Sequence, residues 1–132
     1  MTIQEFRDIP ALARRIERDR EQLIYLQEKA TSVPSTAYGR ERVQNTVQNR
    51  AGQYSDAAVD LEREIEAKEA ELAEMKAAVE PLIDAVEDDI ERRILKARYL
   101  RTYDWEVVAD MTGYTLRRCT QIERKALLKL VN

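Results

Sequence analysis

Arg117, Thr120, Gln121, Arg124 and Lys125 follow one another at alternating steps of three and one residues near the end of the chain. At about 100° per residue these five side chains share one arc of a helix. Cys119, Ile122, Ala126 and Leu130 fall on the opposite arc, with Leu116 and Leu127 at its margin. The polar set matches the edges of nucleic acid. Arg donates two parallel bonds to guanine, Gln both donates to and accepts from adenine, and Lys and Thr reach phosphate. Thr115 and Arg118, at the start of the same segment, complete a candidate DNA-contacting set of Thr115, Arg117, Arg118, Thr120, Gln121, Arg124 and Lys125.

Other chemistry is poorly supplied. There is no histidine, so a His base or His metal ligand is excluded, and the single Cys119 allows neither an internal disulfide nor a thiolate metal cluster. Glu87, Asp88, Asp89 and Glu91 lack the alternating oxygen ligands and the glycine of a calcium loop, and read as helix capping. No nucleophile–base pair, P-loop or dinucleotide fingerprint occurs. The chain is therefore not expected to be an enzyme or to hold a cofactor or metal.

The elements that must position the basic arc are legible nearby. Asp88 or Asp89 is placed to cap a helix through Ile90, Ile94, Leu95 and Tyr99 to about Arg101. Asp104 is placed to cap a short helix over 105–111. Thr112-Gly113-Tyr114 reads as a turn in which glycine supplies positive φ, and Thr115 caps a last helix from Leu116 to about Leu130. Ala109 is small where the last helix must cross the short one, and Cys119, Ile122, Tyr99 and Trp105 are expected in the core. Leu128 points away from it. Three helices, the short middle one joined to the last by a tight turn, predict a helix-turn-helix domain over residues 88–132.

Charge is distributed unevenly. Residues 60–91 carry 13 acidic and 3 basic side chains, a net of −10, whereas residues 92–132 carry 10 basic and 4 acidic, a net of +6. The whole-chain charge of −3 is thus a poor guide to partners, because a basic end can face a polyanion on its own.

Upstream, the composition favours long helices: charged residues are 36%, aromatics 6%, with only 3 Gly and 3 Pro. Ile9, Leu12, Ile16, Asp19, Leu23, Leu26 and Ala30 alternate steps of three and four, a heptad seam carrying one charge. Its helix is expected to begin near Pro10, with Asp8 as cap. A second seam reads Ala58, Leu61, Ile65, Lys68, Leu72, Met75, Val79, Leu82 and Val86, again with one charge. Paired antiparallel, the two seams bring Asp19 and Lys68 into adjacent layers. Pairing with another copy of the chain, as a homodimer, satisfies the same seams. Residues 31–54, punctuated by Pro34, Gly39 and Gly52, read as a polar loop, inside which Val43, Val47 and Ala51 could line a short helical face. Arg40, Arg42 and Arg50 of that loop are candidates to touch flanking DNA. Pro81 is expected to kink the second helix. The predicted class is all-α, with an antiparallel coiled-coil helical hairpin over 1–87 followed by the helix-turn-helix domain over 88–132. The start of the chain lacks a signal-peptide run and no stretch approaches a membrane span, so an intracellular, cytoplasmic location without membrane contact is expected.

Several segments carry a family resemblance: Ile94-Leu95-Lys96-Ala97-Arg98-Tyr99, Trp105-Glu106-Val107-Val108-Ala109-Asp110-Met111, Tyr114-Thr115-Leu116-Arg117-Arg118, and Ala126-Leu127 with Leu130. They resemble the C-terminal domain of phage ArpU/RinA-type transcriptional regulators and the DNA-reading region 4 of sigma factors. The resemblance extends to Ala30-Thr31-Ser32, Arg42-Val43-Gln44-Asn45-Thr46 and Asp60-Leu61-Glu62-Arg63-Glu64-Ile65, so it covers nearly the whole chain. One departure is Glu123, after the apolar Ile122, where relatives often carry His. The resemblance implies a phage or prophage activator of late genes that binds double-stranded promoter DNA and works with host RNA polymerase. Two other readings suit the same residues: a small-terminase-like DNA-packaging adaptor, distinguished by ring assembly, and a protein-interaction module that binds polymerase without specific DNA contact.

Overall fold

The computed structural model describes residues 1–31 and 41–131, and every described element is a helix. In chain order these are α1 (Ile3–Thr31), α2 (Glu41–Asp84), α3 (Asp89–Leu95), which runs into a π-helical turn (Lys96–Leu100), α4 (Trp105–Thr112) and α5 (Leu116–Leu130). Packing divides the chain into two compact units, residues 15–69 and residues 1–14 together with 70–132. The expected boundary at residue 88 is therefore not where the structure divides. The reason is a core shared by both ends of the chain, described below.

Within residues 15–69, α1 and α2 run antiparallel. Arg20 pairs with Glu69 at 2.6 Å and Gln27 Nε2 donates to Glu62 Oε1 at 3.1 Å, so positions rise along one helix as they fall along the other. Ile16, Ala58 and Ile65 are buried, and Leu23, Leu26 and Leu61 are half-buried, as the heptad spacing requires. The two charges inside the seams meet: Lys68 Nζ donates to Asp19 Oδ2, each side chain about a quarter exposed. A double-mutant cycle with Asp19→Leu and Lys68→Leu should accordingly show a coupling of about 0.5–3 kcal/mol in urea unfolding. Strictly additive variants would contradict the pairing.

The polar loop expected over 31–54 is shorter than the sequence suggests, because α2 begins at Glu41. Gly52 does not stop the helix: it is exposed, a Cβ there would meet nothing within 4 Å, and one glycine costs a helix only about 1 kcal/mol. Tyr54 and Ala51, both half-buried, continue the seam four and seven residues ahead of Ala58. Arg50 is exposed on this helix. Pro34, Gly39 and Arg40 lie outside the described residues, as do the side chains of Arg42, Val43 and Val47.

In the other unit, α1 starts seven residues before Pro10, which is helix interior and not its first turn. The cap is Thr2, whose Oγ1 accepts from Glu5 N at 3.3 Å, in a Thr-x-x-Glu arrangement. Asp8 instead accepts from Gln4 Nε2 at 2.8 Å, one turn back on the same helix. This early start places Phe6 and Ile9 where they pack with Val79 and Ile83 of α2, Leu95 and Tyr99 of the third helical segment, and Ala126 and Leu127 of α5. All of these are at most 2% exposed, and the Phe6 and Tyr99 rings meet edge to face at 5.4 Å. α2 continues through Pro81, with Leu82 and Val86 half-buried beyond it. Among the described residues no helix is long and apolar enough to cross a membrane.

Candidate nucleic-acid interface

A second core holds the C-terminal helices in register: Ile94, Ala97, Val108, Cys119 and Ile122, with Ile90, Tyr103, Trp105 and Ala109 packed against it. The starts of α3 and α5 are each set by a side chain read from the sequence. Asp88 Oδ1 accepts from Glu91 N at 3.0 Å, and Thr115 Oγ1 accepts from Arg118 N at 3.1 Å. Asp104 occupies the cap position of α4 with extended backbone but makes no side-chain cap bond. Gly113 ends α4 at φ 76°, its N–H on Ala109 O at 2.9 Å, and this left-handed residue turns the chain sharply into α5. Two helices joined by this turn are compatible with a helix-turn-helix.

Between the π-helical turn and α4, Thr102 sits at φ 55°, a strained conformation for a β-branched residue. Two bonds to the next residue fix the chain there. Tyr103 N donates to Ala97 O and Arg98 Nη1 donates to Tyr103 O, both at 3.0 Å. Arg98 is itself buried, with its guanidinium 4.8 Å from the centroid of the Trp105 ring. Burial lowers its pKa below the ordinary arginine value, with Tyr99 opposing that shift and Arg14 adding to it.

On α5 the expected division of faces is present. Cys119, Ile122, Ala126 and Leu127 are buried, and Leu130 is half-buried. Thr115, Arg117, Arg118, Gln121, Arg124 and Lys125 are exposed, and Thr120 is half-buried. Among the described residues no carboxylate pairs with Arg117, Arg118, Arg124 or Lys125, so four cations stand free on one helix. The Thr120 hydroxyl donates to Arg117 O at 2.8 Å, and Thr115 Oγ1 serves as the cap, so both threonines are partly committed to their own helix. Leu128 stays exposed on the basic face, and Leu116, assigned to the margin of the core, is exposed at 45%. α5 begins there, before the packing arc closes.

Two acids that the sequence marks for other reasons, Glu123 as a departure from the family pattern and Glu91 among the capping acids, are buried. Glu123, only 4% exposed, accepts from the Tyr99 hydroxyl, and the burial of Tyr99, then this bond, push the phenol pKa well above its ordinary value. The signal was available: Glu123 lies four residues after Cys119 and four before Leu127, on the buried side of the helix. Glu91, 6% exposed, accepts from Lys129 Nζ at 3.1 Å and so ties α3 to the end of α5. Asp88 of that stretch caps α3, and Asp89 pairs with Arg92 at 2.8 Å and Arg93 at 3.1 Å. Cys119 is fully buried, with Thr112 Oγ1 at 3.4 Å from its Sγ, which suits packing rather than reactivity.

Compared with protein-family models, curated proteins and solved structures, the chain matches none of them.

Proposed function

We propose that the protein is a sequence-specific DNA-binding transcriptional regulator of a phage or prophage, activating late genes together with host RNA polymerase. The observation that carries this reading is the free cationic face of α5. Arg117, Gln121 and Arg124 are exposed and, among the described residues, have no carboxylate partners; they stand opposite a closed apolar arc and just after a tight glycine turn. A helix presented in this way fits a major groove, where residues of its N-terminal half reach base edges. The residues flanking that line, Arg118 and Lys125, have the charge and reach for phosphate.

The test is selection of bound duplexes from a random pool with the full chain, followed by titration of one selected and one random duplex. Arg117→Ala or Gln121→Ala should cost about 1–3 kcal/mol on the selected duplex and much less on the random one. Lys125→Ala should weaken both alike and reduce the salt slope by about 0.9. A pool without enrichment would defeat the reading, and equal losses on both duplexes for Arg117→Ala would defeat its assignment to bases.

A further inference from the structure

Beside α5, within the unit formed by residues 1–14 and 70–132, lies a cleft of about 510 Å³. Arg7 and Arg14 of α1 line one side, Arg98 and Tyr99 another, and Gln121 and Arg124 of α5 the third. Arg7 and Arg14 are seven residues apart on one helix, two turns along the same face. Both are exposed, and among the described residues neither pairs with a carboxylate. Among the described residues Glu123 is the sole carboxylate lining the cleft, and its Oε1 is taken up by the Tyr99 hydroxyl.

Four guanidinium groups around one opening repel each other. Burial against Trp105 already disfavours the charge on Arg98, and Arg14 is close enough to lower its pKa further. An anion seated among them would relieve the repulsion and gain charge-assisted bonds, bidentate from any arginine that faces it squarely. Its source follows from the neighbours. Gln121 and Arg124 belong both to this cleft and to the face of α5 proposed to read bases. A helix with its side chains is about 10–12 Å across and fills a major groove about 12 Å wide. Groups along one flank of such a helix therefore stand over the phosphate strand that borders the groove.

We propose that the cleft between α1 and α5 is a phosphate site, in which Arg7 and Arg14 clamp a backbone phosphate of the duplex that α5 reads. The proposal rests on the DNA reading above. It makes the first turns of α1, expected from the sequence to serve only the hairpin, half of the interface.

The experiment compares wild type, the Arg7→Ala/Arg14→Ala double variant and the Arg7→Lys/Arg14→Lys double variant, all as the full chain. Each is titrated with a selected and a random duplex across a salt series. Both positions are exposed and sit among other cations, so thermal melting should not fall. The alanine variant should bind both duplexes roughly 5-fold more weakly at about 0.15 M salt, with the salt slope reduced by about 0.9, the value for one phosphate, and sequence preference intact. The lysine variant should recover most of that slope. If wild type binds duplex with specificity but the alanine variant keeps the full slope, the clamp is wrong and the DNA reading stands. A wild type that binds no duplex at low salt would remove both. Inorganic phosphate supplies the last arm. Saturable phosphate binding lost in the alanine variant, with duplex binding unchanged, would give the cleft to a free anion and overturn the clamp.

Discussion

Replacing Phe6 with alanine should lower the free energy of unfolding by about 3–5 kcal/mol, a loss of the size expected for a fully buried aromatic side chain. Phe6 is 0% exposed, and it packs edge to face on Tyr99, more than ninety residues later in the chain. The same core draws on Leu95 and Leu127, each 0% exposed, so the C-terminal helices complete themselves on the first turns of α1 and the last turns of α2. A fragment covering residues 87–132 would leave the faces of Leu95, Tyr99 and Leu127 in water. Each such side chain is worth about 1.5–3 kcal/mol of burial, set against a small domain's total of about 5–15 kcal/mol. The fragment should therefore show reduced helicity and no cooperative melt, whereas the full chain melts cooperatively. Circular dichroism on both, with urea titration of Phe6→Ala, is the check. A fragment with a cooperative melt would mean that the second core, around Ile94, Val108 and Cys119, suffices alone.

That shared core also marks how far the sequence could be read. A heptad seam is a local signal, since the same steps of three and four recur wherever one helix meets one partner along its length. The seams through Ile16 and Ile65 and the meeting of Asp19 with Lys68 were legible for that reason. So were Asp88, Gly113 and Thr115, whose roles depend on a few residues either side of them. Phe6 and Ile83 were not legible, because they face a second set of helices from ends of α1 and α2 that also belong to a seam. One period cannot announce two interfaces. Pro10 suggests a helix start, yet Thr2 and Glu5 already spell a capping box ahead of it. Gly52 suggests a break, yet one exposed glycine does not stop a helix of 44 residues. At the candidate site the free cations of α5 could be placed by angle alone. Arg7 and Arg14 could not, since nothing in the first helix says that α5 lies beside it.

The bond between Tyr99 and Glu123 is the second place where a small change should have a large effect. Tyr99→Phe keeps the ring against Phe6 but leaves the buried Glu123 carboxylate without the hydroxyl that donates to it. An unsatisfied buried acceptor costs about 1–3 kcal/mol, and more when it is charged, so a loss of about 3 kcal/mol is expected. Combining Tyr99→Phe with Glu123→Leu removes the stranded carboxylate and should return much of that loss, a non-additivity that separates this bond from general packing. The pH dependence has a definite sign. Burial, then the bond to Glu123, raise the Tyr99 pKa in the folded chain above its unfolded value of about 10. The contribution is therefore complete below about pH 10 and is lost as pH climbs above it, because the unfolded chain releases the proton first. Between about pH 10 and 11.5 the wild-type stability should fall more steeply than that of Tyr99→Phe, by the equivalent of up to one proton. Parallel profiles in urea melts would show that the phenol is not held protonated by the fold. The same bond anchors α5 one residue from Arg124 and two from Gln121, so in the proposed reading it also sets the rotation of the helix that faces DNA. Tyr99→Phe should then reduce the preference for the selected duplex over the random one while leaving the salt slope unchanged, since no phosphate contact is removed. A changed slope with intact preference would place Tyr99 on the phosphate side of the interface instead.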